Sequence, residues 1–271
     1  MTDNDLEAYF RRIGHDGDRS PTLETLSALH RRHTESIPFE NLNSLLKRPV
    51  RLDLPSLVQK LIHERRGGYC YEHNLLFRNV LETLGFQVTG LAARVLWNAP
   101  EGVVTPRTHM VLRVDLDGRS WLADVGFGGQ VMTAPLLLEP HVEQSTPHEP
   151  FRLVPWNDEL VQQSLIRGGW MTTYRFDLRP QELPDYEVAS WYVSTHPESI
   201  FVNCLLSSRT APGVRYALMN NELSIHRTGA DTEKRTLKSA AEMKHALENE
   251  IGINLPDAPE LEPLLARLAG M

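Results

Sequence analysis

The hydrophobic spacing of the chain changes at Gly85. Up to that glycine, apolar residues recur every three or four positions, a spacing that predicts helices with one buried face. Beyond it, short runs rich in Val, Leu and Trp are separated by Asp-Gly, Gly-Gly and proline, which is typical of antiparallel strands joined by turns. The sequence therefore predicts a helical bundle over residues 1–85 and antiparallel β structure over residues 86–185.

The last part of the chain, residues 186–271, mixes the two patterns. A hairpin is predicted around Asn220-Asn221, and the segment S-A-A-E at 239–242 has the form of a capping box that begins a helix. In the β part, one further hairpin is predicted around Gly168-Gly169. No repeat, low-complexity tract or flexible linker separates the three parts, so we expect them to pack together as one α+β body.

Composition excludes several classes of protein. The 271 residues contain 28 Lys and Arg against 35 Asp and Glu, a formal net charge of −7, which disfavours nucleic acid as a partner. No apolar run approaches the roughly 18 residues of a membrane-spanning helix, and residues 1–5 lack the basic and apolar segments of an export signal. The two cysteines, Cys70 and Cys204, are expected to be reduced thiols. We therefore expect a cytoplasmic protein without nucleic-acid or membrane partners.

The densest chemical signal is the segment R-R-G-G-Y-C-Y-E-H-N at 65–74, which is followed by apolar residues at helical spacing and closed by Gly85. This pattern predicts a glycine turn that delivers Cys70 to the N-terminus of a helix. Free backbone N–H groups and the positive end of the helix dipole favour a thiolate there, and Arg65 and Arg66 add positive charge. Cys70 is therefore a candidate nucleophile; the alternative is a small, buried, unreactive cysteine.

A nucleophilic thiol needs a base, and the chain has eleven histidines. A predicted hairpin around Asp117-Gly118 selects one of them. A two-residue turn places His109 opposite Gly126 and makes His109 and Asp124 diagonal neighbours on one face, about 7 to 8 Å apart between Cα atoms. A three-residue loop would instead put the two side chains on opposite faces of the hairpin.

The surroundings of Asp124 favour a functional role for its carboxylate. It stands in the apolar run W-L-A-D-V at 121–125, where a charged side chain is costly to bury without a partner. If it orients a histidine, the carboxylate accepts the Nδ1 proton of His109 and leaves Nε2 free to hold the proton of Cys70. An exposed aspartate at a strand end is the alternative.

The segment G-F-G-G at 126–129 follows directly. It lacks the Lys-Ser/Thr ending of a Walker motif. Next to Asp124, its glycines favour close approach of a ligand to the backbone, with Phe127 as an apolar contact.

No metal site is predicted. The remaining histidines, such as His30 and His33, have no cysteine or carboxylate partners at metal-ligand spacing. We expect these histidines to be solvated or packed in the core, and Cys204 to be a packing residue.

Together these segments resemble the arylamine N-acetyltransferases, enzymes that use acetyl-coenzyme A. The resemblance covers essentially the whole chain, although it weakens beyond residue 180. The chain lacks the long insertion between barrel and lid of the vertebrate enzymes and therefore looks like a bacterial-type member. The segments that carry the resemblance are I-P-F-E-N-L at 37–42, R-G-G-Y-C-Y-E-H-N at 66–74, T-H at 108–109 and D-V-G-F-G-G at 124–129.

The resemblance implies a fold and a set of functional residues. The fold is an N-terminal helical bundle, an antiparallel β-barrel and a C-terminal α/β lid, with a cysteine-protease-like core joining the first two. Glu40 would pair with Arg66 to support the loop before the cysteine. The catalytic triad would be Cys70, His109 and Asp124; the acceptor pocket would be lined by Phe39, Tyr71, Phe127 and Phe201; and coenzyme A would contact Trp97, Gly128 and Gly129.

The resemblance also implies a reaction, in which an acetyl group passes from acetyl-coenzyme A to the cysteine and then to an arylamine or arylhydrazine. O-acetylation of N-hydroxyarylamines is a related activity, and two half-reactions at one site imply ping-pong kinetics. Two other interpretations stay open from the residues. A cysteine, histidine and acid in this order also occur in papain-like proteases and transglutaminases, which makes hydrolysis a rival. A non-catalytic binding protein with an inert Cys70 is the second.

Overall fold

A computed structural model describes residues 1–100 and 102–271 of the chain. The part before Gly85 is helical, as predicted, and α5 ends where Gly85 adopts a φ of +90°. A two-residue strand, β1 (Phe39–Glu40), interrupts the helices. The helices are α1 (Asp3–Ile13), α2 (Leu23–Ser36), α3 (Leu42–Leu45), α4 (Leu54–Leu57), which continues as a π-helical turn over Val58–His63, and α5 (Cys70–Thr83).

The middle of the chain forms an eight-stranded antiparallel sheet with the strand order β5-β4-β3-β2-β9-β8-β7-β6. The two edge strands meet through one side chain, because the Gln144 amide of β6 accepts from the Leu137 N–H of β5 at 2.7 Å and donates to the Leu137 carbonyl at 2.9 Å. The sheet is therefore a nearly closed barrel, as the family resemblance implied. Its strands are β2 (Gln87–Val95), β3 (Arg107–Leu116), β4 (Arg119–Ala123), β5 (Leu136–Leu137), β6 (Glu143–Gln144), β7 (Phe151–Trp156), β8 (Glu159–Ile166) and β9 (Gly169–Phe176).

The β3–β4 hairpin has the predicted two-residue turn. Leu116 pairs with Arg119, and Asp117 and Gly118 adopt positive φ values of 51° and 74°. The predicted pairing of His109 with Gly126 is wrong, because the β3–β4 ladder ends at Leu112 and Ala123. His109 instead faces Ala93 of β2, and the chain beyond Ala123 leaves the sheet to pack against α5.

Of the other two predicted hairpins, one has its turn displaced by one residue and the other has its turn where it was predicted. The turn predicted at Gly168-Gly169 lies at Arg167-Gly168, since these two residues carry the positive φ values of 50° and 78° and Gly169 already pairs with Ile166. The turn at Asn220-Asn221 is as predicted, with Met219 opposite Glu222.

The last part of the chain forms a five-stranded antiparallel sheet with the order β1-β10-β11-β12-β13 and four helices. Strand β1 comes from the N-terminal part and pairs with β10, so this sheet joins the N-terminal and C-terminal parts of the chain. At the predicted helix start, the Ser239 hydroxyl accepts from the Glu242 N–H at 3.2 Å, while the Glu242 carboxylate accepts from Lys238 N–H at 2.9 Å. The elements are α6 (Leu183–Thr195), α7 (Ile200–Asn203), β10 (Leu206–Ala211), β11 (Val214–Met219), β12 (Glu222–Arg227), β13 (Glu233–Thr236), α8 (Ala240–His245), a π-helical turn over Ala246–Ile251 and α9 (Leu261–Ala269).

Three apolar cores stabilise these elements. The first lies between the N-terminal helices, β3 and α6, the second between α3, the five-stranded sheet and the C-terminal helices, and the third fills the barrel. The first core mixes residues from both sides of positions 85 and 185, for example Leu76, Met110 and Tyr186. The division of the chain at those two positions therefore stays a prediction.

Within residues 1–100 and 102–271, no helix is long and apolar enough to cross a membrane.

Candidate active site

The Gly67-Gly68 turn before Cys70 lies against the strand β1 segment at a distance that only glycine allows. A Cβ on Gly67 would lie 2.0 Å from the carbonyl oxygen of Pro38. The backbone of Gly68 accepts from the Glu40 N–H at 2.8 Å and donates to the Pro38 carbonyl at 3.3 Å. The two glycines therefore hold the loop before Cys70 directly against β1, the first strand of the five-stranded sheet.

Cys70 is the first residue of α5, as predicted. The Tyr69 N–H that precedes it donates to the Glu72 carboxylate at 3.0 Å, so the helix start is capped by a side chain of its own first turn. The Cys70 thiol is buried and donates to the Thr108 carbonyl at 3.7 Å. Cys70 therefore lies directly beside the β3 residue that precedes His109.

Four buried charged side chains brace this loop. Arg66 Nη2 contacts Glu40 Oε1 at 2.6 Å, and Lys60 Nζ contacts Glu72 Oε1 at 2.7 Å and Glu40 Oε1 at 3.7 Å. Burial opposes the charged form of Glu40, but the charges of Lys60 and Arg66 outweigh it and lower the pKa of that carboxyl. For Glu72, burial outweighs the charge of Lys60, and its pKa is raised.

This network corrects one prediction and adds one residue. The charge of Arg66 is neutralised by Glu40, so Arg66 does not supply the free positive charge beside Cys70 that the sequence suggested. Arg65 is exposed to solvent. Lys60 was missed, because nothing in the sequence indicates that a lysine on a π-helical turn is buried between two carboxylates.

His109 and Asp124 are in contact, with 2.7 Å between His109 Nε2 and Asp124 Oδ2. Both side chains are almost fully buried. The sequence-based expectation that Asp124 would accept the Nδ1 proton is wrong, because the carboxylate approaches the ring from its Nε2 side. Nδ1 is consequently the nitrogen left for Cys70.

Burial and charge oppose each other at this pair. Burial lowers the pKa of His109, but the charge and hydrogen bond of Asp124, together with a hydrogen bond to Cys70, raise it to about 10. Burial likewise raises the pKa of Asp124, whereas His109, the Asn74 amide and the Gly126 N–H lower it below its ordinary value. Near neutral pH the pair is therefore an imidazolium and a carboxylate.

The backbone beyond Asp124 packs on α5, the helix that begins at Cys70. A Cβ on Gly126 would lie 2.8 Å from the Cα of Cys70 and 3.0 Å from Nδ2 of Asn74. The sequence suggested that a ligand approaches the glycines at 126–129, but at Gly126 the close neighbour is α5 itself.

Of the four predicted acceptor-pocket residues, Phe127 contacts the His109–Asp124 pair directly. The ring of Phe127 lies 5.2 Å from that of His109. Phe39 and Phe201 are 6.0 Å apart, and Phe201 lies 5.6 Å from Tyr69. Tyr71 is fully buried, and its hydroxyl has no hydrogen-bond partner in the described structure.

The residues predicted to contact coenzyme A lie at the edge of the barrel. Trp97 follows β2, and its N–H donates to the Thr173 carbonyl at 3.0 Å. Gly128, with a φ of +84°, lies against the Phe39 ring, and Gly129 faces Ala217 of the five-stranded sheet. The loop at 128–129 therefore lies where the barrel meets the five-stranded sheet.

Tyr174 of β9 was missed by the sequence analysis. Its ring lies 5.0 Å from that of His109 and 5.2 Å from that of Phe127. Two β-bulges flank this group, one between Ala93 and Arg94 opposite the start of β3 and one at Gln162-Gln163 in β8. Because no local pattern reveals such bulges, the sequence does not predict that β9 lies beside His109.

Other polar groups in the described structure belong elsewhere. No cluster of three His, Cys, Asp or Glu side chains that could hold a metal ion occurs in residues 1–100 or 102–271. His33 and His73 are buried in the core, 2.9 Å apart between their ring nitrogens.

A separate cavity of about 1330 Å³ lies between residues 44–53, α6 and α9, and none of Cys70, His109 and Asp124 lines it.

Residues 22–260, which include Cys70, His109 and Asp124, match the sequence profile of a family described as N-acetyltransferase. The chain belongs to the arylamine N-acetyltransferase family, as its sequence suggested, and is an acetyltransferase. It is 46% identical to an arylamine N-acetyltransferase of Mycolicibacterium smegmatis over 258 residues, which cover 93% of each chain.

Two further relatives extend the comparison. A Salmonella typhimurium protein named arylamine N-acetyltransferase / N-hydroxyarylamine O-acetyltransferase is 38% identical and is matched over 98% of this chain and 88% of its own. The solved structure of the Mycobacterium marinum arylamine N-acetyltransferase in complex with CoA has a TM-score of 0.94 at 42% identity and covers 97% of this chain and 99% of its own.

We predict that Gly126→Ala destabilises the protein by about 2 kcal/mol, because the added methyl group overlaps the backbone of α5. Urea unfolding measures the loss. Gly169→Ala is the matched control: its added Cβ meets its nearest neighbour, the Ile166 carbonyl, at an ordinary 3.7 Å, so its effect should stay within about 0.5 kcal/mol. Equal stability of the two variants would contradict the close packing at Gly126.

We predict that Asp124→Asn lowers the free energy of unfolding by about 3 kcal/mol, because it removes one partner of a buried ion pair. His109 contributes fully below its ordinary pKa of 6.5, and the contribution is lost as pH rises towards 10. Asp124 contributes above its ordinary value of 3.8, and that contribution is lost as pH falls through its lowered folded value. The difference between native and variant protein should therefore be largest between about pH 4 and 6.5.

Urea unfolding at several pH values tests this profile. Asp115→Asn on the same hairpin is the control, since its pair with Arg113 is partly exposed and should contribute within about 0.5 kcal/mol. A destabilisation by Asp124→Asn that is constant from pH 4 to 9 would show that the ion pair is not its source.

Proposed function

We propose that this protein transfers the acetyl group of acetyl-coenzyme A to the amino group of an arylamine or arylhydrazine, through a thioester on Cys70. The observation that carries the proposal is the arrangement of Cys70 at the start of α5 beside the His109–Asp124 pair. The names of the relatives and the CoA complex of the Mycobacterium marinum structure support acetyl-coenzyme A and an arylamine as the two substrates.

In the first half-reaction the Cys70 thiolate attacks the carbonyl carbon of the acetyl thioester. Backbone N–H groups at the start of α5 stabilise the oxyanion that develops. The bond between the acetyl carbon and the sulfur of coenzyme A then breaks, and the leaving thiolate takes the proton of the His109 imidazolium. The products are acetyl-Cys70, free coenzyme A and neutral His109.

In the second half-reaction the amine nitrogen attacks the acetyl carbon on Cys70. His109 takes the proton that the nitrogen loses, and the thiolate of Cys70 leaves. The imidazolium and the thiolate are thereby restored together with the acetamide product. Asp124 stabilises the imidazolium at both ends of the cycle, and it remains ionised because His109 and its other donors lower its pKa.

Aromatic residues hold the acceptor in this proposal. Phe127 lies against His109, Phe39 lies beside Phe201, and Phe201 lies beside Tyr69. An aromatic acceptor held by these rings would present its amino group near the sulfur. Tyr71 contributes the remaining wall. Trp97, Gly128 and Gly129 would contact coenzyme A at the edge of the barrel.

O-acetylation of N-hydroxyarylamines is a second candidate activity, favoured by the name of the Salmonella typhimurium relative. The same acetyl-cysteine would be attacked by the hydroxyl oxygen instead of the amine nitrogen. No additional catalytic group is needed, because His109 takes either proton.

We predict that release of coenzyme A depends on the acceptor and follows ping-pong kinetics. Double-reciprocal plots of rate against acetyl-coenzyme A at several aniline concentrations should give parallel lines. Cys70→Ser should lower the rate at least about a thousandfold, because it removes the nucleophile, whereas Cys204→Ser should retain it. Release of coenzyme A at a rate independent of aniline would favour hydrolysis, and turnover by Cys70→Ser would contradict a role of the cysteine.

A further inference from the structure

Asn74 lies one helical turn after Cys70 on α5, is completely buried, and joins three segments of the chain. Its amide nitrogen donates to the Met110 carbonyl of β3 at 2.8 Å and to Asp124 Oδ1 at 3.0 Å. Its amide oxygen accepts from the Val125 N–H at 3.1 Å. Both amide protons and the amide oxygen are therefore used, and each bond leads to a segment that carries or flanks a residue of the triad.

The bonds at Asp124 assign its two carboxylate oxygens to different partners. Oδ2 accepts from His109 Nε2, whereas Oδ1 accepts from the Asn74 amide and from the Gly126 N–H at 2.9 Å. Rotation of the carboxylate about its Cβ–Cγ bond would break the bonds at Oδ1. The plane of the carboxylate, and with it the direction in which His109 is held, is thus determined by groups outside the His109 contact.

We propose that Asn74 is a positioning residue that fixes the Asp124 carboxylate against the helix of Cys70 and thereby aims His109 at the sulfur. The proposal rests on the proposed role of Cys70 as nucleophile. A neutral amide suits this position, because a lysine or arginine would compete with His109 for the charge of Asp124. The hydrogen bond from Asn74 also lowers the pKa of Asp124 and keeps it ionised.

Other titratable groups face Asp124 from α2 and β9. His30 of α2 accepts from the Asp124 N–H at 3.2 Å, and burial lowers the pKa of His30 to about 4. Tyr174 of β9 stays protonated, since burial and the charge of Asp124 raise its pKa well above its ordinary value. Near neutral pH, His30 and Tyr174 are consequently uncharged, and the imidazolium of His109 is the charged partner of Asp124 in this cluster.

The test is the pH dependence of Cys70 alkylation by iodoacetamide in an Asn74→Leu variant, which keeps the volume of the side chain and removes its hydrogen bonds. A background of Cys204→Ser leaves one thiol to report. We expect the rate at pH 7 to fall at least about tenfold and the rise of the rate to occur about one pH unit higher. The reason is that His109 beside a loosened Asp124 binds its proton less tightly, so the thiol transfers its proton less readily.

The controls separate positioning from stability. Asn79→Leu is the matched variant, because Asn79 lies on the same helix and its amide donates to the Leu75 carbonyl at 2.9 Å, not to a group of the triad. The alkylation profile of this variant should be native. If Asn74→Leu does not fold, Asn74→Ala replaces it, since its smaller side chain leaves room for water at Met110 and Val125. A folded variant with the native pH profile would refute the proposal, even if it unfolds at a lower temperature.

Failure of this proposal and failure of the proposed function are distinguishable. If the native protein forms no acetyl-enzyme but Asn74→Leu still shifts the alkylation profile, the transfer proposal is wrong and the role of Asn74 stands. If acetyl-enzyme forms equally fast in native protein and Asn74→Leu, and the alkylation profiles coincide, the role of Asn74 is wrong and the transfer proposal stands.

Discussion

The buried contact between His109 and Asp124 is the interaction on which the rest of the site depends. Removing two charged groups from water is costly, and the pair is favourable only because each partner is charged, close and further hydrogen-bonded. Asp124 follows directly after the last residue of β4, where the chain leaves the sheet, and its second carboxylate oxygen accepts from the Asn74 amide and the Gly126 N–H. Near neutral pH a thiol beside this pair is next to an imidazolium, a neighbour that favours the thiolate form of a cysteine.

Helix α5 connects that pair to Cys70, the proposed nucleophile. Its first residue is Cys70, and Asn74 one turn later reaches the acid, so a single rigid element sets the distance between them. The helix start is braced by four buried charged side chains, the carboxylates of Glu40 and Glu72 and the cations of Lys60 and Arg66. Gly126 packs on the same helix, and a methyl group at that position would overlap the backbone of Cys70.

Local features were predictable from sequence, whereas long-range ones were not. The helix that begins at Cys70 and the register around Asp117-Gly118 depend on a few neighbouring residues, and both were predicted. The turn at Arg167-Gly168 was displaced by one residue, because two adjacent glycines allow either position. The reversed orientation of the His109 ring and the burial of Lys60 depend on contacts with residues far away in sequence, which no periodicity reports.

Intact-protein mass spectrometry after brief exposure to acetyl-coenzyme A tests the central claim, that an acetyl group passes through Cys70. The account predicts one added acetyl group located on Cys70, which disappears when aniline is added while N-acetylaniline accumulates in equal amount. An acetyl group on any other residue, or N-acetylaniline formed without an acetyl-enzyme that aniline consumes, would contradict it.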